Sequence, residues 1–142
     1  MRHSASAFVL LTVFLLAACS PIADPLPGQA GPDPAAIEFE DEADYRAQRE
    51  ATAAGLDAAV GTASAAAVTS CRVAPTSEQA CGGPTSFVVY SEDENAREVE
   101  RLAARLVALD RAANAQFEWA STCMAYTPPP VALREGRCVA DE

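Results

Sequence analysis

"SEDENAREVERLAARLVALDRAANAQFE", residues 91–118, decides the fold. Val99, Leu102, Leu106, Leu109 and Ala113 recur at alternating spacings of three and four, and Phe117 continues the same face. That is the period of an amphipathic helix. Ser91 and Glu94 stand in the S-x-x-E arrangement of a capping box, in which a serine oxygen and a glutamate carboxylate satisfy each other's free backbone donors. The stretch therefore predicts a helix over about 92-118. Its other face carries Arg97, Arg101, Arg105 and Arg111 interleaved with Glu98, Glu100 and Asp110, a mixture of signs that marks a solvated, salt-bridged surface rather than an anion grip. The apolar stripe is shorter than four heptads, and Trp119 and Tyr126 nearby need burial, so it is expected to pack inside the monomer rather than along a coiled-coil seam.

Immediately upstream, "TSFVVY" (85–90) is β-branched and aromatic and reads as a strand. One strand is not stable alone, so it is expected to pair around Val131 to Leu133 or at Val139, or to pack in extended form against helix. Before it, "CRVAPTSEQACGGP" (71–84) has turn chemistry at Pro75 and at Gly82-Gly83-Pro84 and reads as a disulfide-closed loop. "GTASAAAVTS" (61–70) is small-residue filler with no assignable period. In "IEFEDEADYRAQREATAAGLDAAV" (37–60), Glu42, Arg46 and Glu50 are spaced by four, which places them on one helical face. A second, Ala-rich helix is expected over about 41-60, with Gly55 its weak point. The acidic start at Glu38, Glu40, Asp41, Glu42 and Asp44 lacks the glycine turn and ligand spacing of a calcium loop and suits a helix N-terminus instead. Downstream, "STCMAYTPPPVALREGRCVADE" (121–142) has a proline run and a turn at Glu135-Gly136, and reads as loop with one short strand. The fold class expected is α+β, mainly helical, with one or two short strands and two disulfides, in a single small domain over 37-142.

The N-terminus is of another kind. Met1-Arg2-His3 gives a short positive region, and "ASAFVLLTVFLLAA" (5–18) is uncharged and interrupted only by Ser6 and Thr12. This is the layout of a signal peptide, and it falls short of the roughly 20 apolar residues needed to span a bilayer. Leu16-Ala17-Ala18-Cys19 resembles the lipobox of bacterial lipoproteins. The resemblance implies a diacylglyceryl group on the Cys19 thiol, cleavage between Ala18 and Cys19, and acylation of the new amino group. Two or three acyl chains would hold the protein on a membrane without crossing it, since each buried methylene contributes about 0.8 kcal/mol. Ser20 stands where the inner-membrane retention signal of enterobacterial lipoproteins has Asp, so the same resemblance implies the outer membrane, facing the periplasm. "SPIADPLPGQAGPDPAA" (20–36), with five prolines, reads as a disordered tether over 19-36. At roughly 3 Å per residue it lifts a domain some tens of ångströms from the membrane.

Composition sets further bounds. The 124 residues after the signal suffice for one domain and a tether. Once Arg2 is removed, nine arginines face twenty carboxylates, a formal charge of −11 that disfavours nucleic acid and favours a basic envelope protein as partner. Every basic residue is arginine, which we read as genomic background. The only histidine, His3, belongs to the signal, so the mature chain has no imidazole for acid-base catalysis or metal binding. No catalytic residue, cofactor or metal ligand set is identified. Cys71, Cys81, Cys123 and Cys138 remain after Cys19, an even number suited to disulfides in an oxidising compartment. No CxxC knuckle suggests zinc. Three pairings are open. The short loops Cys71–Cys81 and Cys123–Cys138 are favoured, and the crossed alternative would clamp the two ends of the domain together. The pattern from CGGP through to the final "GRC" resembles small secreted bacterial proteins of uncharacterised activity, which implies a unit of structure and no chemistry.

These features point to a membrane-anchored envelope lipoprotein with a structural or protein-binding role. A narrower alternative is an acidic, inhibitor-like binder of a basic hydrolase, either a lysozyme or a protease that meets Arg72 in a Cys71–Cys81 loop. A further alternative is an enzyme acting on envelope polysaccharide through paired carboxylates, although no two of the twenty acids stand out.

Overall fold

The structure, a computed structural model, describes residues 37–141. The expectations for the signal peptide, for Cys19 and for the tether lie outside these residues. The described domain is α+β and 41% helical. In chain order it comprises α1 (Glu42–Val60), a 3₁₀ turn (Val68–Ser70), β1 (Cys71–Pro75), β2 (Phe87–Ser91), α2 (Ala96–Gln116), β3 (Val131–Arg134) and β4 (Arg137–Ala140).

The two helices form the spine. Asp41 caps α1, its Oδ1 accepting from the backbone N–H groups of Ala43 and Asp44 at 2.8 and 2.9 Å, and Glu42 and Asp44 add negative charge to the first turn, where the helix dipole favours it. Gly61, at φ +55°, ends the helix in a conformation that costs glycine little. The chain then returns so that α2 runs antiparallel to α1: Tyr45 meets Asp110, Gly55 faces Leu102, and the Asn95 amide donates to the Ala59 carbonyl. The predicted stripe is the buried face. Val99, Leu102, Leu106, Leu109 and Ala113 are all buried, joined by Ala103 and Ala112, whose small side chains let α1 approach closely.

Two apolar clusters lie along this spine. Leu56, Tyr90, Val99, Leu102 and Leu106 fill one end. At the other, Phe39, Leu109 and Ala113 are walled by Tyr45, Phe117 and Trp119, and four rings close a cycle with centroids 5.2–6.1 Å apart. Gln116 closes this end by donating to the Phe39 carbonyl and accepting from the Phe39 N–H, at 2.7 and 3.0 Å. The entering chain is thereby paired to α2 as it would be to a strand.

The sheet partners differ from those expected. The strand read at 85–90 is β2, shifted to Phe87–Ser91, and it pairs antiparallel with β1, not with 131–133 or Val139. The segment read as a disulfide loop therefore opens with a strand, Cys71 lying opposite Ser91 and Pro75 opposite Phe87. Pro75 is tolerated because it stands at the strand's last position. Side chains continue the ladder beyond it: Thr76 meets Ser86, and the Ser77 hydroxyl accepts from the N–H groups of Thr85 and Ser86. The C-terminal segment forms two strands rather than one. β3 and β4 make a hairpin around Glu135-Gly136, both at positive φ (+51° and +72°), as a type I′ turn requires.

Ser91 ends β2, buried, with its hydroxyl accepting from the Asp93 N–H. The capping box is therefore not formed: α2 begins four residues later than expected, with Asn95 as its N-cap and no side-chain bond there. The serine was taken by the strand register. The expected disulfide pairing is also overturned. The bridges are Cys71–Cys138 and Cys81–Cys123, with Cα separations of 5.4 and 5.6 Å, so the crossed alternative holds. Residues close in sequence stay apart because Cys71 starts a strand that carries the chain away from it before Cys81 is reached. Cys71–Cys138 is buried with Ala63 and locks the two hairpins together.

Candidate functional site

A buried carboxylate sits where the two helices meet the loop after β1. Asp110, read as part of the solvated face of α2, is only 6% exposed. Its Oδ1 accepts from the Tyr45 hydroxyl at 2.9 Å and from Arg49 Nε at 2.8 Å, and its Oδ2 accepts from the Glu78 N–H at 3.1 Å. Burial and the Asp110 bond push the Tyr45 phenol up from 10.0 to about 12. The hydrogen bond to Asp110 raises Arg49 beyond its ordinary value. The carboxylate is engaged at both oxygens by these three donors and is buried, so it fixes geometry rather than offering a base to a substrate.

Neighbouring residues of α2 extend this grip. Asn114 Nδ2 donates to the Glu78 carbonyl at 2.8 Å, and the Arg111 guanidinium pairs with the Glu78 carboxylate at 3.2 Å. Glu78 is thus held at its N–H, its carbonyl and its side chain by three residues of one helical stretch. An open cleft of about 220 Å³ lies over this junction, lined by Gln79 and Ala80 beside Glu78, Arg111 and Asn114. The rest of the arginine row follows the expected pattern in one place, where Arg101 pairs with Glu98 on the exposed face and lowers that carboxyl. Of the expected pairs on α1, Glu42 and Arg46 form an ion pair.

Beyond Glu78, Gln79 reaches across to the C-terminal loop, its Nε2 donating to the Met124 carbonyl at 2.6 Å. Cys81 is bridged to Cys123 in that loop. Cys123 is held at φ +54°, a left-handed conformation uncommon for a side chain with a Cβ. Tyr126, expected to be buried, is 44% exposed, and Met124 is 55% exposed. Arg72, proposed as a residue presented in a loop, lies in β1 with its guanidinium on both oxygens of Glu92 and on two backbone carbonyls. A Cys71–Cys81 loop does not exist to present it.

Among the described residues no group of three His, Cys, Asp or Glu side chains is arranged to hold a metal ion. No described helix is long and apolar enough to cross a membrane. Ala18 and Cys19 lie outside the described residues. No family model matches the chain, and neither a curated protein nor a solved structure is similar to it.

Asp110 was missed although its signal was present. Ala103, Leu106, Asp110 and Ala113 follow one another at spacings of three, four and three, so position 110 falls on the buried stripe. A carboxylate on such a stripe requires a partner, and Arg49, about two turns into α1, supplies it.

Proposed function

We propose that the protein is a bacterial envelope lipoprotein, anchored by acyl chains on Cys19 and presenting the domain at 37–142 on a proline-rich tether, probing the periplasm from the outer membrane, with a structural or protein-binding role. The sequence Leu16-Ala17-Ala18-Cys19 at the end of an uncharged apolar run carries this reading. Cysteine accounting supports it. Of five cysteines, four form the two described disulfides, which leaves Cys19 as the one outside either bridge. Two disulfides also suit an oxidising compartment.

Protein binding is favoured over catalysis because the most buried carboxylate is consumed by structural donors and the mature chain lacks histidine. A net charge of −11 makes a basic partner the electrostatic match, and such an attraction weakens with salt. Intact mass of the protein purified from bacterial membranes tests the anchor. A chain beginning at an acylated Cys19 is expected, with Cys19→Ala leaving the membrane fraction or retaining residues 1–18. An unacylated wild-type chain, or unchanged detergent partitioning of Cys19→Ala, overturns it.

A further inference from the structure

From Trp119 to Leu133 the chain carries no charge, in a domain otherwise dense with carboxylates. Within this stretch Met124 and Tyr126 are two of the three large apolar side chains exposed on the described surface. They stand two residues apart, and the Tyr126 hydroxyl lies 4.0 Å from the Met124 sulfur, so both project from the same side of the chain as alternate residues of a strand do. The three prolines that follow fix their own φ and keep Thr127, Pro128 and Pro129 extended. Among the described residues the N–H groups of Met124, Ala125, Tyr126 and Thr127 have no partner. The segment therefore offers unpaired main-chain donors and two apolar anchors on one face, which is the equipment of a peptide that adds itself as a strand to a cleft.

Both ends of the segment are fastened. At its start Cys81–Cys123 and the Gln79 amide hold Cys123 and the Met124 carbonyl. At its end the Asp141 N–H donates to the Pro130 carbonyl beside the β3–β4 hairpin. Such fastening lowers the ordering cost of binding. The bridges add a property that simple adhesion does not require. A cut at any bond between Cys123 and Cys138 leaves the two fragments joined through Cys71–Cys138, with the stretch after Cys123 still tied to the body by Cys81–Cys123. The fragments stay on one body.

We propose that Met124–Thr127 is a substrate-like segment that occupies the cleft of an endopeptidase whose primary pocket takes an apolar side chain, with Met124 and Tyr126 as its anchors. Occupancy alone suffices, and no covalent step is invoked. The proposal rests on the protein-binding part of the reading above and is independent of the lipid anchor.

The test uses the mature chain from membranes, in detergent, against α-chymotrypsin turning over a small chromogenic substrate. Competitive inhibition is expected, and Met124→Asp or Tyr126→Asp should weaken it by about thirty-fold or more, the loss typical of a central anchor. Both positions are exposed, so an unchanged circular-dichroism spectrum and melting temperature will show that the variants fold. Trypsin, whose pocket takes basic side chains, should be inhibited far less. Absence of chymotrypsin inhibition, inhibition untouched by Met124→Asp and by Tyr126→Asp, equal inhibition of trypsin, or rapid digestion that releases the enzyme would each overturn the proposal. An acylated Cys19 in the same preparation, with no inhibition, would remove this inference and leave the anchored-domain reading standing.

Discussion

Replacing Asp110 by alanine takes away the acceptor for three donors at once: the Tyr45 hydroxyl, Arg49 Nε and the Glu78 N–H. Breaking a buried ion pair by removing one partner costs about 3–5 kcal/mol, because the remaining charge is left uncompensated. The Arg49 side chain is 34% exposed, so water recovers part of its hydration, and the lower end, about 3 kcal/mol, applies. For a domain of this length that loss lowers the melting temperature by about 10–20 °C. Asp110→Asn keeps the shape and one acceptor oxygen but loses the charge, and should cost about half as much. Pairing Asp110→Leu with Arg49→Met removes both charges and should recover only the part of the loss due to the unpaired charge, since the Tyr45 hydroxyl and the Glu78 N–H still lack an acceptor. Urea and thermal unfolding followed by circular dichroism, without reductant, measure all three. An Asp110→Ala protein within about 0.5 kcal/mol of wild type, the range of an ordinary surface substitution, would refute the reasoning and return Asp110 to the solvated face.

Other expectations follow from single features. Non-reducing peptide mapping should recover Cys71 linked to Cys138 and Cys81 linked to Cys123; a Cys71–Cys81 peptide would contradict the fold. By loop length, with sequence separations of 67 and 42, each bridge contributes about 4 kcal/mol when broken alone, so the Cys71→Ala/Cys138→Ala double variant should melt far below wild type. At Gly55 an added Cβ would lie 3.8 Å from the Leu102 methyls, an ordinary contact, so Gly55→Ala should raise stability by about 1 kcal/mol through helix propensity; a lower melting temperature would show that the helices cannot accept it. Burial, together with bonds to Asp110 and Glu100, moves Tyr45 and Tyr90 from 10.0 to about 12. In the fold both phenols hold their protons more tightly than in the unfolded chain, so their contribution is complete below pH 10 and is lost as pH rises through about 12. Phenolate absorbance titration should show two late-ionising groups, with Tyr45→Phe and Tyr90→Phe each removing one.

What could be read from the sequence was whatever is written in a local period. The stripe Val99, Leu102, Leu106, Leu109 and Ala113 is buried as its spacing requires, and "FVVY" is a strand because β-branched and aromatic residues suit one. The Glu135-Gly136 turn was equally plain. Pairings between distant segments were not legible. Nothing local in "CRVAP" distinguishes a strand from a loop until "FVVYS" is placed beside it, and the cysteine partners follow from that register rather than from their spacing. The capping box failed for a related reason. Ser91 suits a local role, the capping box, and a tertiary one, finishing β2 opposite Cys71, and the tertiary one took the residue. Tyr126 was expected to be buried, but it is exposed in a segment between Cys123 and β3 that belongs to no helix or strand.

The same register explains how one stretch of α2 positions the exposed loop. Asp110, Arg111 and Asn114 fall within little more than one turn, and each grips a different group of Glu78. The next residue, Gln79, holds the Met124 carbonyl, and Cys81 bonds to Cys123. A continuous line of contacts thus runs from Tyr45 and Arg49 on α1, through the buried carboxylate, to the base of the uncharged segment. A domain that had only to be stable could fill position 110 with leucine and escape the desolvation of a charge. A leucine has no acceptor for the Glu78 N–H, and the 76–81 loop would then meet α2 only through the Glu78 carbonyl on Asn114 and the Glu78 carboxylate on Arg111. The buried charge, costly in itself, is the one grip on that loop that also reaches α1, through Tyr45 and Arg49, and so it ties both helices to the place at which Met124 and Tyr126 meet a partner.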